Sequence, residues 1–277
     1  MTASASELAA RAYRVRQRVL DIGASDVGTH VGGSLSVADV LTVLYSGVLR
    51  VRPDEPDWPD RDRLVLSKGH ASAALYAVLA DLGFFPAAEC DTYGQAGSRL
   101  AGHPLRRLEG VEFATGSLGH GLGLGAGVAL GARLARCQAR AFVLLGDGEL
   151  QEGSVWEAVM CAAHLGLDNL VAVVDRNQWQ ISGRTEDCIG LEPLAERWRS
   201  FGWMASEVDG HDHVALSRAF AEVPAAAGKP TVVIARTVKG SGVPVFEDRK
   251  KSHYVQLSPQ LHARATAGLR GRVRSSP

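Results

Sequence analysis

The chain has 277 residues, 46% of them apolar, and its 30 Lys and Arg balance 30 Asp and Glu. This is room for one large α/β domain or two small ones with a sizeable core, which argues against a disordered chain. A formal charge of zero removes any electrostatic reason to expect nucleic acid or an anionic membrane as partner.

The N-terminal stretch MTASASELAARAYRVRQRVL lacks the apolar segment of a secretory signal. Leu8, Ala12, Val15 and Val19 fall on one helical face, with Arg11, Arg14 and Arg18 off it. Residues 36–48, SVADVLTVLYSGV, read as an amphipathic helix through Val37, Val40, Leu41, Leu44 and Val48. A loop rich in Pro and Asp follows, then a short strand at 64–67 and a buried helix at 71–82. After a polar stretch to about residue 115, a Gly-rich helix covers 119–136, followed by strand 141–145, helix 151–165 and strand 170–174. Beyond Ile181 come a helix near 192–201, a strand near 204–208, a helix around 213–223 and a strand at 231–236. Apolar strands alternating with helices predict an α/β fold, a parallel sheet covered by helices on both faces. Residues 1–257 form its single domain, and the tail 258–277 reads as loosely ordered. The most apolar stretch, 118–135, is broken by His120, Arg133 and many glycines and does not span a bilayer. Cys90, Cys137, Cys161 and Cys188 have no ligand spacing and read as reduced thiols of a cytoplasmic protein.

In FVLLGDGELQEGSVWEA, Asp147 sits between two glycines at the tip of an apolar run. Ligands of open α/β sheets bind at the carboxyl ends of strands. The glycines let backbone N–H groups approach a ligand, and the helix that follows offers its N-terminus to an anion. A second apolar run, LVAVV, ends in Asp175-Arg176-Asn177, which puts Asn177 30 residues beyond Asp147, about one strand–helix–strand crossover. If the two strands are neighbours, both side chains reach one spot above the sheet. One carboxylate and one amide oxygen make a half-site for Mg²⁺, completed by phosphates and water. The pair therefore reads as a diphosphate–Mg²⁺ site; the competing reading is a helix cap at Asp147 and a turn at Asn177. Gly121, Gly123 and Ala126 satisfy G-x-G-x-x-A, a dinucleotide pattern, but no clear strand precedes them. Small residues at this density instead let a buried helix pack closely.

GDGELQEG, with RNQWQISG at this spacing, resembles the thiamin diphosphate motif, and from about residue 20 to 255 the chain resembles transketolases. The blocks GTHVGGSLSVADVL, LSKGHASAALYAVL, GHP, GVEFATGSLGHGLGLGAGVALG, LAERWRSFGWMASEVDGHD and KPTVVIARTVKGSG follow the family's order. The resemblance implies a thiamin diphosphate-binding fold. It implies Mg²⁺, or Ca²⁺ or Mn²⁺ in its place, held by the side chains of Asp147 and Asn177 and the carbonyl of Trp179. By the same resemblance Gly148 gives its N–H to the diphosphate and His70 contacts it. Gly116 and Leu118 lie under the aminopyrimidine and thiazolium, Ile181 is an apolar thiazolium contact, and Lys239 matches a lysine common in split members. His30 and His103 resemble histidines that face the substrate, and His253 one near the diphosphate and donor. Glu152, with Glu157, matches an acidic cluster linking two active sites. Imidazoles titrate in the range that deprotonation of a donor hydroxyl needs, which suits His30, His70, His103 and His253. His164, His211, His213 and His262 are left as structural or surface residues.

Two departures stand out. His120 replaces the family's usual Gln, and the chain stops after the first domain, before the glutamate that activates the cofactor's aminopyrimidine. The resemblance thus implies the N-terminal, diphosphate-binding subunit of a split transketolase. Such an enzyme moves a two-carbon ketol unit from a ketose or its phosphate to an aldehyde, acting on small sugars. Its partner would be a C-terminal subunit with the pyrimidine-binding domain, in an α2β2 heterotetramer. Alternatives are an acyloin-forming or 2-oxoacid-decarboxylating enzyme, or a regulatory subunit that kept the fold.

Overall fold

In the computed structural model, residues 3–275 are described. Helix α1, Ala5–Gly23, opens with a capping box: the Ser4 hydroxyl accepts from the Glu7 N–H while the Glu7 carboxylate accepts from the Ser4 N–H at 2.7 Å. Its inner face buries Leu8, Ala12, Val15 and Val19, as their spacing predicts. The single helix expected over 36–48 is three pieces: α2 (Val31–Ser36), α3 (Ala38–Val43) and a π-turn at Leu44–Val48. Every residue from Val31 to Tyr45 is buried, so apolar periodicity marks no boundary there. The earlier start matters because it places His30 at the N-terminal end of α2.

The chain then runs through β1 (Arg63–Leu66), α4 (Ser72–Leu82), α5 (Gly121–Leu134), β2 (Ala141–Gly146), α6 (Gly153–His164) and β3 (Leu170–Arg176). The remainder is α7 (Thr185–Cys188), α8 (Leu194–Ser200), β4 (Met204–Asp209), α9 (His213–Ala221), β5 (Thr231–Arg236) and α10 (Pro259–Ser275). The five strands form one parallel sheet in the order β1-β2-β3-β5-β4.

Side chains alternate across this sheet into two cores, the period-2 signature of a strand buried on both faces. Phe142, Leu144, Val171, Val173 and Val233 join the core under α1–α4, α9 and α10. Val143, Leu145, Ala172, Val174 and Ile234 join the opposite core with α5, α6 and α8. Small residues let α5 lie close: a Cβ on Gly125 would stand 2.2 Å from Val143 Cγ2.

The loosely ordered tail is a correction: residues 259–275 are helical, and Ala265 and Leu269 are buried in the first core. The segment is rich in polar residues and few of its residues are buried, Ala263 and Ala267 being exposed, so composition hides a face that only packing reveals. Residues 276 and 277 lie outside the described residues. No helix among the described residues is long and apolar enough to cross a membrane, and all four cysteines are free.

Candidate active site

Strands β2 and β3 are parallel neighbours with Gly146 opposite Asp175, so Asp147 and Asn177 leave the sheet side by side. An open cleft of about 350 Å³ sits above these strand ends. It is lined by His30, Lys68, His70, Gly116, Leu118, Asp147, Gly148, Glu152, Asn177, Trp179, Ile181 and His253. Lys239 lies just behind His253, with Nζ 3.1 Å from its Nδ1.

Four of the predicted histidines converge. The His30 ring is 5.3 Å from His70, 5.8 Å from His103 and 5.3 Å from His253, centroid to centroid. They come from four loops that the fold pins together. Thr29 and Val255 exchange backbone hydrogen bonds of 3.0 and 2.9 Å, which sets His30 beside His253. Gly28 makes this crossing possible: its φ is +67°, and a Cβ there would stand 2.8 Å from the backbone of Gln256. On α4, Ser72 Oγ donates to the Gly102 carbonyl at 2.8 Å and the Tyr76 hydroxyl to those of Ala101 and His103 at 3.0 and 3.1 Å, holding the GHP loop.

Burial first, then neighbouring His253, pulls the His30 imidazole down to about 4; burial, then Lys239, does the same to His253. Burial also lowers His70, with Lys68 adding to it, and His103. All four are therefore neutral at pH 7. Burial and the neighbouring Lys68 pull Lys239 down to about 8.

Beneath the cleft lies a polar knot that reading the sequence missed. The Asp175 carboxylate accepts from Lys68 Nζ and Thr237 Oγ1, from Ser36 Oγ at 2.7 Å and from Asn177 Nδ2 at 2.7 Å. Burial alone would raise this carboxyl, but Lys68 holds it below its ordinary value. The knot fixes the Asn177 amide: Nδ2 is committed to Asp175, so Oδ1 turns the other way, where it accepts from the Trp179 N–H at 3.0 Å. Glu149 braces the loops around it. Its buried carboxylate accepts from Ser67 Oγ, from the Gly119 N–H at 2.9 Å and from the Gly146 N–H at 3.0 Å, and burial raises its pKa. An acid three residues past a strand end reads from sequence as a first-turn helix acid, so this role was not legible. Asp175 could have been found by the rule that picked out Asp147, a carboxylate ending an apolar strand.

The donor set suits a diphosphate with a divalent cation. Asp147 Oδ2 accepts from Arg176 at 3.0 Å and from the Gln178 N–H at 2.6 Å, whereas Oδ1 takes only the Gly148 N–H at 2.8 Å. Oδ1 therefore keeps lone pairs for a cation. No described group donates to the Trp179 carbonyl. His30 Nδ1 and Gln180 Oε1, on residues that line the cleft, are buried without partners, the state of groups that meet a polar ligand. No cluster of three or more His, Cys, Asp and Glu set to hold a metal occurs among the described residues. One expected contact differs: the Gly148 N–H is turned onto Asp147 Oδ1, so meeting a diphosphate requires that bond to be exchanged. Ile181 stands at the rim, 69% exposed, and Glu152 is exposed at the start of α6. His120 is also exposed, its Nδ1 3.0 Å from the Leu118 carbonyl. The G-x-G-x-x-A pattern lies in α5 itself, with a loop rather than a strand before it.

Residues 8–269 match the family model described as transketolase, thiamine diphosphate binding domain. A 6-deoxy-6-sulfo-D-fructose transketolase subunit of a Clostridium species is 41% identical over 95% of this chain and 96% of its own length. One of the apulose-4-phosphate transketolase subunits of Phocaeicola vulgatus is 42% identical over 93% of this chain and 92% of its own. Among solved structures, the transketolase of Leishmania mexicana superposes with a TM-score of 0.88 at 31% identity, covering 97% of this chain and 42% of the longer one.

Proposed function

The chain belongs to the transketolase family, as a subunit built on its thiamine diphosphate-binding domain, and from that premise we propose that it grips the diphosphate end of the cofactor through Mg²⁺ and shares its active site with a second subunit. The observation that carries this reading is the meeting, in one cleft, of two oxygen donors from neighbouring strand ends with four neutral histidines. Asp147 Oδ1, Asn177 Oδ1 and the Trp179 carbonyl hold Mg²⁺, with Ca²⁺ or Mn²⁺ able to replace it. Bound thiamin diphosphate supplies the nucleophilic carbon and the electron sink for cleaving the carbon–carbon bond of a ketose.

Everything else falls to protein groups. Lys239 offsets charge on the diphosphate, His70 orients it as a neutral hydrogen-bonding partner, and the Asp175 knot keeps the Asn177 oxygen aimed at the cation. His30, His103 and His253, uncharged at pH 7, accept hydrogen bonds from the donor's hydroxyls, and one of them takes the hydroxyl proton as the bond breaks. Gly116, Leu118 and Ile181 form the floor and rim against the cofactor rings. Glu152 sits where a second subunit closes the cleft.

The two subunit relatives of nearly the same length support a partner that carries the pyrimidine-binding domain and the activating glutamate. We read the assembly as a cytoplasmic α2β2 heterotetramer acting on small sugars, with the four free cysteines fitting a reducing compartment. In the assembled enzyme, Asp147→Ala is expected to lower ketol transfer at least about a hundredfold, as loss of a metal-ligating group on the cofactor does. Unchanged activity in that variant would favour a regulatory subunit instead.

A further inference from the structure

Outside the cleft, four polar side chains meet at one buried point. Asp39 on α3 accepts from Arg16 of α1 through both carboxylate oxygens, and stands 2.8 Å from His211 Nδ1 and 2.8 Å from His213 Nε2. Asp39 and Arg16 are 4% and 7% exposed. Burial alone would raise the Asp39 carboxyl, but Arg16, then His211 and His213, hold it well below the carboxylate range. His211 belongs to the block VDGHD, which no step of the reaction above uses.

The tautomer of His211 follows from its contacts at the two ring nitrogens, Asp39 at 2.8 Å and Ser241 Oγ at 3.3 Å on Nδ1 and the Val238 N–H on Nε2. The Val238 N–H reaches His211 Nε2 at 2.8 Å. A backbone N–H only donates, so Nε2 is the bare nitrogen and Nδ1 carries the proton, directed at Asp39. Val238 immediately precedes Lys239, whose side chain is 2% exposed and ends 3.1 Å from His253. The same short segment is held by Arg16 Nε, which donates to the Ser241 carbonyl at 3.0 Å, and by the Gly240 N–H, which donates to Gly32 of α2 at 3.0 Å.

We propose that His211, oriented by Asp39, is a positioning residue: by accepting the Val238 N–H it fixes the segment that presents Lys239 to the diphosphate-binding cleft. The role in cofactor binding rests on the reading of that cleft given above; the role in placing Lys239 does not. A merely space-filling His211 would be replaced equally well or badly by either amide side chain. The proposed geometry distinguishes them. A Gln side chain carries its oxygen to the position of Nε2 and can accept from Val238. An Asn amide reaches only the position of Nδ1; it can meet Asp39 and leaves Val238 without an acceptor.

The chain has five lysines, so Lys239 can be followed by the ¹³Cε resonance in lysine-labelled protein. In the wild-type chain it is expected to titrate near 8. In His211→Ala and His211→Asn the midpoint should rise toward the ordinary lysine value of about 10.4. In the same two variants, assembled with the partner subunit, Mg²⁺·thiamin diphosphate should bind about tenfold more weakly, the scale of one lost hydrogen bond in a closed site. His211→Gln should keep both properties within about twofold. The proposal is overturned if the Lys239 midpoint is unmoved in the Ala and Asn variants, or if it moves as far with Gln as with Asn. Should the Ala variant not fold, the Asn–Gln pair decides. The titration needs no cofactor: failure of the wild-type complex to bind thiamin diphosphate would overturn the reading of the cleft, while the Lys239 midpoints still judge His211.

Discussion

The chemistry of single residues here is set by burial. His30 and His253 are held near 4, below the unfolded value of about 6.5. Between those limits the unfolded chain binds protons that the folded chain refuses, so stability rises with pH across the interval. The contribution is complete above about pH 6.5 and is lost as pH falls toward 4. Calorimetric Tm is therefore expected to fall through this window, and a His30→Asn, His253→Asn double variant should show a flatter profile; an equally steep one would contradict the assignment. Asp147 and Asn177 were legible from sequence because each ends an apolar strand at a spacing that fits one crossover. Asp175, which also ends an apolar strand, was open to the same rule, but its role, like those of Lys68 and Glu149, was not legible, because the partners lie 107, 139 or 82 residues away in sequence and meet only once the sheet order is known.

At the scale of elements, the glycines of α5 divide by face. Gly125 packs against β2, where a Cβ would overlap Val143, but a Cβ on Gly127 would meet nothing within 4 Å. Gly125→Ala should destabilise the isolated chain by about 1–3 kcal/mol through overpacking. Gly127→Ala should stabilise it by up to about 1 kcal/mol through helix propensity. Urea unfolding of both variants checks the pair, and equal effects would mean that α5 is not seated as described. Strand and helix positions were readable from periodicity because a two-faced parallel sheet makes each strand a continuous apolar run. Continuity was not readable: the single helix expected over 36–48 starts inside a segment buried throughout 31–45, where periodicity marks none of the breaks. Helix α10 was missed because its buried residues are few. They nonetheless tie it to the core, so Leu269→Ala is expected to cost about 2–4 kcal/mol in unfolding free energy. A change below about 0.5 kcal/mol, typical of a surface position, would restore the picture of a loose tail.

For the whole molecule, the fold brings most of the predicted cofactor and substrate groups of this chain into one open cleft, with Lys239 behind His253 and His103 beside His30. The apolar rim residue Ile181 and the acidic Glu152 stand exposed around it, where a second surface would close the site. The family and the ketol-transfer chemistry could be read from the sequence because several motif blocks keep their order. The sugar could not, because on the proposed reading part of the surface that selects it belongs to a second subunit. Reconstitution tests the account most directly: two-carbon transfer from hydroxypyruvate to an aldehyde acceptor, measured with Mg²⁺ and thiamin diphosphate, for this chain alone and after mixing with its partner subunit. The account predicts transfer only from the mixture; full-rate transfer by this chain alone would contradict it.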